Sequence, residues 1–383
     1  MTRPSLEACE SGVNRIRPDR VITQRELNRT TLSRQMLLRR EDITIPAALE
    51  RLVGLQAQAP QSPYVGLWTR LPNFRRENLA RLIEDRTVVK ATFMRATLHL
   101  VTAADFARFR MCLHPALVGA AESISKTRGG LFDLEKVLSK ARQYLSEKPR
   151  SFADISDWLS KSFPDHDVGA MRYTVRTHLP LVQVPIRGGW SFSNKPEFTL
   201  AESWISGSLS AEDRTSQLVL RYLAAFGPAS VADAQTWSGL KLKEIFEKLR
   251  PKLRVYRDEN RRELFDLPEA VLPDADVPAP VRFLPEYDNL LLAHSVRTRV
   301  LADEFRKKVF LPGLRVAASF LVDGFVAGVC KVERVKQVAT LMLEPFAKLS
   351  KRDRTEVEEE GERLLRFVQP EAESYGVNIG KQG

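Results

Sequence analysis

The sequence predicts an α+β protein built from three tandem winged-helix units and a C-terminal β-rich element. Three observations point there. Helical periodicities recur in groups of three, each followed by short apolar, β-branched runs. Gly188-Gly189 sits between the apolar runs 181–186 and 190–192, as a two-residue hairpin turn does. Asp323-Gly324 joins 316–322 to 325–332 in the same way.

In chain order, residues 1–22 are polar and charged, and read as a flexible N-terminal extension. The first unit spans 23–130. Thr23 and Glu26 have capping-box spacing, so a helix is expected over 24–40. Pro46 suits the first position of a second helix that ends near Gly54. A short helix over 77–85 leads into 88–101, whose composition predicts strands. There Arg95, Thr97 and His99 alternate with Met94, Ala96 and Leu98, which predicts one polar and one packed face.

The second unit spans 131–205, with helices over 134–145, from the Ser151 cap, and over 168–177, then the Gly188-Gly189 hairpin. The third spans 206–270. Its helices cover 216–226, 231–237 and 242–249, and its wing strands 253–256 and 263–267 flank a charged tip. A helix-turn-helix sets its second helix in the major groove, although the same fold also serves protein–protein contacts. Proline-rich residues 268–280 read as a linker. In 281–368 the hairpin at Asp323-Gly324, a third strand ending near Leu341 and a charged helix over 352–367 are expected. The acidic run 356–362 reads as a solvated helix face, and the last dozen residues as frayed.

Across 383 residues, 59 Lys and Arg oppose 48 Asp and Glu, for a formal charge of +11. Such a surplus suits a polyanionic partner, nucleic acid first. The three cysteines and five histidines are scattered without metal-ligand spacing, so no metal site is expected, and a reduced, cytoplasmic setting is. No run is apolar enough to span a bilayer. The sequence carries no GxSxG elbow, no P-loop and no Rossmann glycine pattern, against the common hydrolase, kinase and dehydrogenase readings.

One stretch stands apart: Leu55-Gln56-Ala57-Gln58-Ala59-Pro60. Pro60 biases Ala59 toward extended angles. In an extended segment Gln56 and Gln58 share a face. Two neutral carboxamides aimed at one spot can hold a water or read a polar ligand. The same pattern also fits a polar turn with solvated glutamines.

That stretch, Met94-Arg95-Ala96-Thr97-Leu98-His99-Leu100-Val101, and Arg282-Phe283-Leu284-Pro285-Glu286-Tyr287-Asp288-Asn289-Leu290-Leu291-Leu292 together resemble the AlkZ-type winged-helix DNA glycosylases, over about 22–368. Gln58 places the chain nearer the Gln-apolar-Gln branch than the branch with Asp at that position. The resemblance implies hydrolysis of the N-glycosidic bond of alkylated purines, chiefly N7-alkylguanine, with unhooking of interstrand crosslinks as a further possibility. It implies Gln56 and Gln58 as the catalytic pair. Strand alternation and likeness to the family segments make Arg95, Thr97, His99, His294, Arg297 and Arg299 the expected contacts to duplex DNA. No cofactor is implied, and a monomer is expected. The alternative is a non-enzymatic winged-helix regulator, for which a symmetric dimer on a palindrome is expected.

Overall fold

The computed structural model describes residues 20–128 and 130–380. The expected N-terminal extension therefore lies almost wholly outside the described residues. The fold is mixed α+β, and among the described residues no helix is long and apolar enough to cross a membrane.

The first helix begins as expected: the Thr23 side chain accepts from the Glu26 amide, and the Glu26 carboxylate accepts from Thr23 N–H. It runs over Gln24–Arg34, shorter than 24–40, because Met36 turns left-handed with φ 57°. The second helix, Ile45–Arg51, ends in Val53 and Gly54, both at positive φ. Gly54 has φ 87°, and a Cβ there would stand 2.4 Å from Val101 Cγ1. Only glycine lets this turn lie against the neighbouring strand.

Six strands form one sheet in the order Leu55–Gln56, Leu98–Thr102, Val88–Thr92, Leu181–Gln183, Glu197–Leu200, Arg150–Ser151. The first two expected units are thus welded through a shared sheet, by the pairing of Ala91 with Val182. The second wing differs from expectation. Leu181–Gln183 pairs with Glu197–Leu200, and Gly188-Gly189 lies in the long loop between them. That loop is drawn to the first unit, where Phe192 is buried with Leu55, Tyr64 and Leu100, and Ser191 Oγ lies 2.6 Å from the Tyr64 hydroxyl.

The third group has the helices Thr215–Phe226, Val231–Ser238 and Lys243–Leu249, then the strands Arg254–Asp258 and Glu263–Asp266. The short strand Val21–Ile22 pairs in parallel with Arg254–Asp258. At the C-terminus a five-stranded sheet carries the helix Lys351–Val368. Its last strand, Ser374–Ile379, pairs with Val338–Pro345, so these residues are ordered rather than frayed. The acidic run is not wholly solvated either: Glu360 is buried and pairs with Arg40 at 2.6 Å and Arg363 at 2.7 Å.

Buried arginines tie these parts together. Arg70 and Asp288 form a two-pronged pair at 2.9 and 2.8 Å, with neither side chain exposed. Arg34 holds Asp266 at 2.8 Å on both prongs. Removing one partner strands a buried charge. Asp288→Ala is expected to cost about 3–5 kcal/mol of folding stability, and Arg70→Met with Asp288→Leu to recover much of it. Urea unfolding of the three proteins checks this, and a loss below about 1 kcal/mol for the single variant contradicts it.

Candidate active site

The glutamines lie at the end of the edge strand Leu55–Gln56. Gln56 is paired directly opposite His99, and Ala57 N–H donates to Leu98 O at 2.7 Å. Leu55 and Ala57 both pack into the cluster with Tyr64 and Leu100. Gln56, between them, faces the other way by strand alternation. Directly opposed residues of an antiparallel pair share a face. Gln56, His99 and Ala91 therefore lie on one side of the sheet.

The two carboxamides are anchored differently. Gln56 is buried, and its Oε1 accepts from Arg95 Nη2 at 2.7 Å. Gln58 is exposed, and its Oε1 accepts from the Leu98 amide at 2.9 Å.

The expected polar stripe from Arg95 to His99 does not form as a strand. Residues Met94–Ala96 make a 3-10 turn, with Arg95 and Ala96 both left-handed at φ 55° and 56°. Neither residue is a glycine, so period-two reasoning had no cue to stop there. The turn is pinned by Phe93 N–H to Thr97 O at 2.9 Å and Thr97 N–H to Met94 O at 3.1 Å. Thr97 is half-buried, its hydroxyl donating to Met94 O at 3.0 Å. Arg95 is half-buried. Burial, with the nearby Arg297 charge, pulls its guanidinium down to about 10.

His99 is fully buried. Its Nδ1 lies 3.1 Å from Thr97 O, which can only accept, so Nδ1 carries the proton and Nε2 is an acceptor. That Nε2 has no partner among the described residues. Burial, then the Arg95 charge, pushes the imidazole down to about 3.

The three downstream residues do not form an extended basic face. His294 is buried, with Nε2 3.0 Å from Phe226 O, and burial is the main cause that pushes it down to about 3. Arg299 is buried and donates to Pro228 O at 3.0 Å and Thr31 Oγ1 at 3.3 Å. Arg297 is half-buried, donates to Leu291 O at 2.8 Å, and lies over the Phe310 ring. His99, His294 and Arg299 are all buried, not presented on the surface. Sequence reasoning read them as presented side chains because alternation carries no information about which elements cover a strand.

Reasoning from sequence also missed three groups at the site. The Leu98 amide and Trp237 carbonyl are backbone atoms with no sequence signal, and Arg176, whose Nη2 donates to Ala96 O at 2.7 Å, lies in the second helical group. A cleft of about 1020 Å³ lies between the helix His114–Arg128 and residues 239–245, and neither glutamine lines it. Lys241, Lys243 and Glu244 line it, and its wall at Gly239 stands against the Arg95 backbone. Among the described residues no group of three or more His, Cys, Asp and Glu could hold a metal ion.

The molecule is therefore a mixed α+β protein with a pair of neutral amides at the end of a sheet-edge strand. Its fold is similar to that of Streptomyces sahachiroi DNA glycosylase AlkZ, with a TM-score of 0.77 over 94% of this chain and 100% of that one, at 22% identity. Residues 49–367 match the AlkZ-like DNA glycosylase family, and the chain belongs to that family. It is 25% identical to the interstrand DNA cross-link repair glycosylase of the same organism, over 88% of this chain and 94% of that protein. The family is one of DNA glycosylases, and the regulator alternative falls away.

The two buried imidazoles set a pH dependence. Each binds a proton less readily folded than unfolded, where the value is near 6.5. Below about 6.5 the unfolded chain takes up protons that the native state refuses. Stability is thus expected to fall as pH drops from 6.5 toward 3. Melting at pH 7.5 and pH 5 checks this: the wild type should melt lower at pH 5, and the His99→Gln, His294→Gln variant should show a smaller difference. An equal difference in both contradicts it.

Proposed function

We propose that this glycosylase hydrolyses the N-glycosidic bond of alkylated purines in duplex DNA, with N7-alkylguanine the principal substrate. The observation that carries the reading is the neutral Gln56/Gln58 pair at the edge of the sheet, in a family of DNA glycosylases. Alkylation at N7 leaves the base positively charged and ready to depart. Water supplies the oxygen that bonds to C1′. The C1′–N9 bond breaks with its electron pair going to the base, and the proton of the water passes to solvent. No cofactor is needed.

A carboxamide is no base near neutral pH. It acts by holding water close to C1′. Crosslinks joined through N7 of guanine present the same bond, and the name of the Streptomyces sahachiroi relative supports their inclusion. We also read the three helical groups as winged-helix units, and the protein as a monomer acting in the cytoplasm.

A lyase route through an amine has one candidate. Lys90 is buried, burial pushes it down to about 8, and its Nζ lies 4.8 Å from the Phe192 ring centroid. An amine of that kind can form a Schiff base. However, Lys90 neighbours Ala91 in the strand, so it points to the opposite side of the sheet from Gln56 and His99. The reading is therefore hydrolysis alone.

Two measurements test this. Gln56→Ala and Gln58→Ala are each expected to slow release of 7-methylguanine from alkylated duplex on the order of 10²-fold; near-wild-type rates for both would refute the assignment. Borohydride added during turnover is expected to trap no protein–DNA adduct, and an adduct lost in Lys90→Met would establish a lyase.

A further inference from the structure

We infer that Arg95 is a positioning residue: it fixes which end of the Gln56 carboxamide faces the substrate. The inference rests on the proposed role of Gln56 and deepens it.

A guanidinium donates hydrogen bonds and accepts none. Arg95 Nη2 lies 2.7 Å from the Gln56 carboxamide oxygen. Rotating that amide by half a turn would set its NH₂ against another donor. The oxygen is therefore held inward and the NH₂ left outward. The same logic applies to Gln58, whose oxygen meets the Leu98 N–H, also a pure donor. Neither amide nitrogen has a hydrogen-bond partner among the described residues. The pair thus offers N–H donors first. Each oxygen keeps one lone pair, and that of Gln56 is weakened as an acceptor by the charged bond it already accepts.

The other end of Arg95 explains how a cation is tolerated there. Its Nη1 donates to the carbonyl of Trp237, in the last turn of the helix Val231–Ser238. Carbonyls of a final turn lack intrahelical partners and carry the negative end of the helix dipole. No carboxylate pairs with Arg95 among the described residues, so this helix end and the Gln56 oxygen are its compensation. The backbone is arranged for it. Arg95 and Ala96 both occupy the left-handed region, which non-glycine residues seldom adopt. The bonds across the Met94–Ala96 turn, and that from Arg176 to Ala96 O, hold them there. One side chain therefore spans from the helix Val231–Ser238 to the edge glutamine, with both terminal nitrogens engaged inside the protein.

The test combines single-turnover excision of 7-methylguanine with duplex affinity measured over a salt series. Arg95→Met is expected to slow excision about tenfold or more while leaving affinity within about twofold and the salt slope unchanged. Arg95→Lys keeps the charge but presents no planar fork, and is expected not to restore the rate. In a Gln56→Ala background, Arg95→Met is expected to add less than about threefold, because both changes remove one device. Gln56→Glu keeps an oxygen for Arg95 and deletes the N–H donors, so a folded, slow enzyme is expected.

Weaker affinity with a flatter salt slope in Arg95→Met would make Arg95 a phosphate contact and overturn the inference. So would full additivity with Gln56→Ala, or a wild-type rate for Gln56→Glu. Melting curves accompany every variant, and Gln56→Glu carries the test if the Arg95 variants unfold. A wild-type rate for Gln56→Ala removes the proposed role of the glutamine itself, which separates that failure from the others.

Discussion

The pairing of the edge strand Leu55–Gln56 with Leu98–Thr102 is the constraint on which the site depends. It places Gln56 opposite His99 and sends Leu55 and Ala57 into the core on the other side. A slip of one residue would exchange those faces. The glutamine would then be pressed among leucines, and an alanine would stand where the amide stands now. Gly54 protects the register, since its positive φ and lack of a Cβ let the chain turn tightly against Val101 before the strand begins. Side-chain chemistry at the site follows from this backbone arithmetic.

Positive charge has a second use beyond attracting a polyanion. Arg29, Arg70 and Arg110 are among the largest fully buried side chains. Arg29 reaches Asp323 in the turn between two strands of the C-terminal sheet, Arg34 reaches Asp266 at the end of the strand Glu263–Asp266, and Arg70 reaches Asp288. Desolvating such pairs costs most of what their attraction returns. What they supply is direction, because a planar fork accepts a carboxylate in few orientations. The surplus of +11 is thus an imperfect guide to the surface, and part of the arginine complement works as internal struts.

Much of the architecture was legible. The capping box at Thr23 and the cap at Ser151 marked helix starts that the structure shows, and Asp323-Gly324 marked a true hairpin. These signals are local, and local hydrogen bonding decides them. Gly188-Gly189 was just as strong a local signal, yet tertiary packing of Phe192 and Ser191 against the first group of helices decided that loop. Left-handed Arg95 and Ala96 were illegible because neither residue type announces positive φ. In the Gln-Ala-Gln stretch the extended reading holds for Leu55–Gln56 only, since Gln58 lies in a bend beyond the strand. The anchoring of the two glutamines could not be read, since one anchor is a backbone amide and the other an arginine held from a helix far away in sequence.

The central claim is that two anchored neutral amides hold water against C1′ of a damaged nucleotide. The most direct measurement is a crystal structure with duplex DNA carrying a cationic 1-azasugar, which mimics the oxocarbenium-like sugar, together with the free alkylated base. The expected result is a water within hydrogen-bond reach of Gln56 and Gln58 and facing the anomeric position, with the Gln56 oxygen still on Arg95. An azasugar seated away from both glutamines, or on the Lys90 side of the sheet, would contradict it.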